Sequence, residues 1–374
     1  MQQAIDGRKF RYRCRRHTSY LSLRIMTIIR TYTQMKFRQF FTYIMLAGAS
    51  VFVHAQGDGS TAYDFLNVTS SSLVYGLGGM NVSLVGGDIN TIDQNPALLG
   101  AEMDNQVAFN YMRYLGDSNF AGLAYARSVG EHGAWAASVR YLGYGSMKET
   151  DVSGNIVGSF SASDVVFGGT FCYDITDRLR GGASLKLAYD SYAEYSAFAV
   201  ATDLGINYYD PEKDLSLSLV VANLGGQVKR FDERYDRLPL DVRIGWSQSF
   251  ASLPLRFSIT AWNLTKWSLP YYDAGDGSST DEMVRKDSFG SNLMRHLVFG
   301  IDYVGSDNFY IGLGYNYKTR TDMSTYSRSM LSGFSLAAGL NVRNFGIGIA
   351  FAQPHKGATT LMLNLSCNLN DFLE

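Results

Sequence analysis

The residues best suited to chemistry are few and far apart. The histidines beyond the amino-terminal region, His132, His296 and His355, share no metal-ligand spacing, so neither a metal nor a cofactor is expected. No GxSxG, HExxH or P-loop motif occurs. Tyr75-Gly76-Leu77-Gly78-Gly79 looks like a phosphate loop, but no βαβ unit surrounds it, so a turn or close packing is the better reading. Asp273, Asp276, Asp281 and Glu282 make the 265–295 segment acidic at its centre. Their spacing is not that of an EF-hand, and a solvated loop outranks calcium binding. No catalytic residue is assigned, and the chain reads as a non-enzyme.

The remaining charges lie on strands. From residue 105 onward apolar residues recur at every second position in segments of about ten. Leu179-Gly181-Ala183-Leu185-Leu187-Tyr189 and Phe309-Ile311-Leu313-Tyr315-Tyr317 are two of the clearest. The opposite face carries Arg140, Arg180, Lys186, Asp203, Asp241, Arg243, Arg256 and Asp302 among many Gly, Ser and Ala residues. In a barrel lumen such charges could select solutes, but mutual pairing across the interior is the favoured reading.

Alternation alone does not separate a soluble sandwich from a membrane barrel. Segments of nine to eleven residues suit a tilted membrane span better than a globular strand. Fourteen are expected, centred near residues 110, 124, 139, 169, 184, 203, 218, 245, 260, 300, 313, 337, 348 and 364. Short connections alternate with generally longer ones at 144–163, 223–239, 265–295 and 319–331, the pattern of periplasmic turns and extracellular loops. Tyr111, Tyr141, Tyr173, Tyr208, Trp246, Tyr303 and Tyr317 are placed to form interfacial girdles. The expected fold is therefore an all-β, 14-stranded antiparallel transmembrane β-barrel over residues 105–374.

What precedes the barrel divides into three parts. Residues 35–55 have the basic start, apolar middle and small-residue end of a signal peptide. Residues 1–34 read as an upstream extension of the gene model. Residues 56–104 break the alternation and are expected to enter the lumen as a hatch. Asn95-Pro96-Ala97-Leu98-Leu99 starts a short helix there, with Asn95 as N-cap and Pro96 at N1. Lumen-facing glycines, among them Gly182, Gly205, Gly245, Gly314 and Gly348, leave room for it.

Charge follows the same division. The whole chain has net charge −1, but residues 1–55 hold ten of the bases and one acid. The remaining 23 bases and 33 acids give −10, which disfavours nucleic-acid binding. Cys172 and Cys367 fall on opposite strand faces, so no disulfide is expected.

From about Thr61 onward the chain resembles the PorQ family of the type IX secretion system. The stretches TAYDFLNVTSSSLVYGLGGMNVSL (61–84), DINTIDQNPALL (88–99), GSFSASD (158–164), LPLDVRIG (238–245) and ITAWNLTKWSL (259–269) carry the resemblance. NPALL is shared more widely, with PorV and with FadL-type fatty-acid transport barrels. The resemblance implies a hatched 14-stranded barrel in a Bacteroidetes-type outer membrane. It further implies a surface-attachment complex in which the barrel holds a PorZ-like surface protein, beside PorV and the sortase PorU, which joins cargo to anionic lipopolysaccharide. Trp267, Tyr271, Tyr272, Asp273 and Asp276, in the longest loop, are the candidate partner-binding residues. Outer-membrane lipid is the remaining expected partner. The alternative is a FadL-like transporter of hydrophobic small molecules; an open porin comes third.

Overall fold

The computed structural model describes residues 61–370 except 62, 232–234, 251–252, 274–283, 305, 307, 323–329 and 356. The expectations for residues 1–34 and for the signal peptide lie outside the described residues.

Period-two alternation produces a closed antiparallel barrel of fourteen strands. The first seven are β1 (Gln106–Arg113), β2 (Asn119–Val129), β3 (Gly133–Thr150), β4 (Ile156–Thr176), β5 (Leu179–Tyr192), β6 (Tyr195–Asp210) and β7 (Leu215–Lys229). Then follow β8 (Asp241–Phe250), β9 (Leu253–Ala261), the small β10 (Tyr271–Asp273) and β11 (Val284–Lys286) pair outside the wall, and β12 (Leu297–Tyr303). The wall ends with β13 (Phe309–Asn316), β14 (Phe334–Val342), β15 (Phe345–His355) and β16 (Ala358–Asn368). Each expected strand centre falls on one barrel strand. β16 pairs with β1 from Gln106↔Asn368 to Arg113↔Leu361, so no edge strand remains open to lipid.

The alternation sorts the two faces of the wall. Leu123, Leu185, Leu219, Ile244, Ile311, Ile347 and Leu363 lie outside and exposed, as a lipid-facing surface requires. Residues of the other phase are small or polar and buried. Cys172 is buried and Cys367 half-buried; both are free thiols.

Three expectations about the wall need correction. Residues 223–239 are a loop only in part: β7 continues to Lys229, paired with β6 as far as Phe198↔Lys229, because its backbone finds a ladder partner there. Residues 144–163 are not a long loop: β3 and β4 continue as a paired ribbon as far as Thr150↔Ile156. β-Branched, serine and aromatic residues sustain pairing there beyond the ends of the flanking β2 and β5 ladders. Tyr317 is not in the strand girdle, because β13 stops at Asn316 and Tyr317 opens a helix. The Asn316 side chain accepts from the Thr319 N–H (3.2 Å) and turns the chain out of the wall.

Residues 61–105 run inside the barrel. They form short 3₁₀ turns and one α-helix, α1 (Ser72–Gly76), rather than strands. Tyr63, Leu66, Leu77, Ile89, Leu99 and Met103 are essentially fully buried. At about 1.5–3 kcal/mol for each large side chain, this burial is the main force holding the segment in place. Outside the wall, α2 (Phe289–His296) and α3 (Tyr317–Asp322) fold together at the end carrying the long connections, the loop end. The opposite end carries the tight turns.

Candidate functional site: the hatch and its cavities

The hatch motif packs where the wall has no side chains. Asn95 is 0% exposed; its Oδ1 accepts from the Ala97 N–H (2.9 Å) and its amide donates to the Val82 carbonyl (2.7 Å). Pro96 sits at the start of a 3₁₀ turn, and Ala97, Leu98 and Leu99 are buried behind it. A Cβ on Gly182 would come within 2.4 Å of the Pro96 backbone, and one on Gly205 within 2.1 Å of Asn95 Oδ1. On the other side of the lumen, Gly314 would meet the Gly78 nitrogen at 2.1 Å. The glycines are the footprint of the hatch on the wall.

The lumenal charges supply the second set of contacts. Arg140 reaches hatch Asp93 (3.6 Å) and donates to the Val68 carbonyl (3.1 Å). Arg180 joins Asp174 (2.6 Å) to hatch Glu102 (2.9 Å) and the Leu99 carbonyl (3.0 Å). Arg256 forks onto Asp302 (2.8 Å) and donates to the Val85 carbonyl (2.9 Å). Arg243 pairs with Asp241 (2.8 Å) and donates to Asn67 Oδ1 (2.6 Å). Lys186 pairs within the wall, with Asp203 at 2.5 Å. Every arginine here uses its spare N–H groups on hatch oxygens, which satisfies a buried charge and clamps the segment at once.

Asn67 is the functional residue that sequence reasoning missed on the hatch. Its Oδ1 receives both Arg243 and Asn223 Nδ2 (3.0 Å). The signal was present, since Asn67 ends the FLN of the 61–84 stretch. Asp104, where the hatch joins β1, accepts from the Ser128 N–H and hydroxyl, each at 2.7 Å. Those bonds hold its carboxyl below the usual carboxylate range.

The hatch divides the lumen. On its loop-end side lies a cavity of about 360 Å³ lined by Tyr75, Met80, Tyr114, Trp262, Phe334 and Lys318, among others. On its turn-end side lies a polar cavity of about 520 Å³ bordered by Asn90, Gln106, Asn341 and Asn344.

The loop candidates separate. Trp267 is half-exposed and stacks on His296 (5.0 Å), whose ring nitrogens face the Trp262 and Trp267 carbonyls. Tyr271 is half-buried under the Arg295 guanidinium (5.1 Å), and Arg295 also pairs with Asp322 (2.6 Å). This clasp ties the long connection down onto α3. Tyr272 is exposed. Asp273 ends β10, its side chain outside the described residues, as is Asp276 altogether. Among the described residues no cluster of His, Cys, Asp and Glu could hold a metal ion.

No family model and no curated protein matches the chain. Solved structures do. It is similar to a deletion mutant of the monoaromatic hydrocarbon channel TodX (TM-score 0.52, 10% identity, covering 81% of this chain and 100% of that one). It is also similar to the Ralstonia pickettii toluene transporter TbuX (TM-score 0.50, 12% identity, 81% and 98% covered). At such identities the likeness defines the fold. The molecule is a closed 14-stranded antiparallel β-barrel of the architecture those channels share, with its N-terminal segment packed inside as a hatch.

Proposed function

We propose that the barrel passes small hydrophobic molecules across the outer membrane, with the hatch as the gate. The observation that carries this reading is the ring-lined cavity lying directly on the loop-end side of the hatch. It lies where a ligand entering from outside would wait. Two neighbours of the same fold, named a toluene transporter and a monoaromatic hydrocarbon channel, support the substrate class. Ala352, on β15, lines this cavity. Ala352→Trp fills it and is expected to reduce uptake of labelled toluene to the level of cells lacking the barrel. Uptake that does not depend on the barrel at all would sink the proposal.

A second reading is favoured by a different observation. The β3–β4 ribbon projects beyond its neighbours and exposes Val152, Ile156 and Val157 at the loop end, and Trp267 and Tyr272 are exposed beside the long connection. Apolar side chains on a projecting ribbon suit the docking of a surface protein. With the PorQ resemblance, this supports attachment of a PorZ-like partner in a type IX secretion complex, with PorV, the sortase PorU and anionic lipopolysaccharide further along. Deleting residues 270–290 should then release the partner from the membrane while the barrel stays folded. Full retention of the partner would contradict the attachment role.

A further inference from the structure

Five buried or half-buried acids of the lumen have a basic partner: Asp93 has Arg140, Asp174 has Arg180, Asp203 has Lys186, Asp241 has Arg243 and Asp302 has Arg256. Two do not. Asp164 and Asp190 stand directly opposite each other in the β4–β5 ladder, both on the lumenal face. Asp190 is 2% exposed and Asp164 6%. Asp164 accepts from the Tyr144 hydroxyl (2.5 Å), but neither oxygen of Asp190 has a well-formed hydrogen bond, and among the described residues no basic side chain pairs with either acid. The Tyr63 hydroxyl, on the hatch, lies beside Asp190, buried and without a well-formed hydrogen bond.

Opposed residues in an antiparallel pair hold their Cβ atoms about 4.5–5.5 Å apart. Two carboxylates at that spacing, out of water, must share a proton or take a positive charge between them. The space for one exists. Both acids line a cavity of about 500 Å³ at the loop end, walled by Tyr144, Met147, Tyr192 and Tyr195. Tyr192 and Tyr195 are exposed at its rim, so the cavity is reached from outside.

We infer that this cavity binds a small organic ammonium ion with an apolar body, its head between Asp164 and Asp190 and its body against the tyrosine rings. Two carboxylates and nearby hydroxyls fall short of the six to eight oxygens a calcium ion takes. Aromatic walls instead suit an ammonium carried on an apolar frame. Asp164 closes the GSFSASD stretch, and neither proposed function gives this residue a role. The site stands whichever of those readings holds, because it lies beside the hatch path and away from the projecting tip of the ribbon.

The test is calorimetric titration of the full chain in detergent with phenethylammonium, with its neutral counterpart 2-phenylethanol, and with calcium chloride alone. Phenethylammonium should bind about tenfold or more tightly than the alcohol, and Asp190→Asn and Asp164→Asn should each lose about that factor. Equal binding of amine and alcohol would overturn the assignment, as would calcium binding with no response to the amine. Should the Asn variants fail to give the heat-modifiable band of a folded barrel, the amine–alcohol pair on the wild-type chain still decides. Tyr195→Leu, at the rim, then adds a check: it should weaken the amine and leave folding unchanged.

Discussion

Along the belt where the wall grips the hatch, Asp241 meets Arg243 and Asp302 meets Arg256, each at 2.8 Å; elsewhere on the wall, Asp164 faces Asp190 with no basic partner for either among the described residues. The first pairs sit on β8, β9 and β12 and the second on β4 and β5, but all project from the lumenal face of the wall and are largely buried. In the first, each charge is neutralised and its remaining donors are spent on hatch oxygens. In the second, the negative charge is left for something not covalently part of the chain. Paired buried charge marks a structural seal, and unpaired buried charge beside a cavity marks a place for a ligand.

Variants can break that contrast. The largest effect is expected for Arg243→Met, which strands Asp241 and releases Asn67; a loss of about 3–5 kcal/mol should appear in urea unfolding followed by gel mobility. Gly205→Leu should cost about 3 kcal/mol by driving a side chain into Asn95, and should expose a Thr69→Cys label on the hatch to a water-soluble thiol reagent. Asn95→Ala removes the cap and the Val82 bond, for about 2 kcal/mol in the same assay. Asp190→Asn reverses the sign: taking away an unpaired buried charge should leave stability unchanged or raise it by about 1 kcal/mol. A loss comparable to that of Arg243→Met would erase the distinction between the two regions.

The smallest effect concerns pH. Asp104 has a folded pKa below its unfolded one, so its contribution is present above the unfolded carboxylate value and is lost as pH falls through the folded value. The difference in melting midpoint between wild type and Asp104→Asn should therefore shrink on going from neutral to strongly acid solution.

Much of this was legible in the residues. Strand phase is a local property with period two, so fourteen strands and the two faces of the wall could be read directly, as could the glycines opposite Asn95-Pro96. The α1, α2 and α3 helices were not legible, because each is too short for a periodic signal and is stabilised by what it touches. The 144–163 segment read as a loop, since its glycines and serines hide a ribbon whose partner lies just across the hairpin. That reading put Asp164 at a loop edge and drew attention away from Asp190, although Asp190 shares its phase with Arg180 and Lys186. Extending the lumenal phase to the end of β5 would have exposed the pair.

The central claim, that the hatch closes the lumen, is tested most directly by conductance across a planar bilayer containing the full chain. The hatch contacts predict a silent barrel in the resting state, with open events appearing in Gly205→Leu. A steady, ohmic, porin-sized conductance from the unmodified chain would contradict the account.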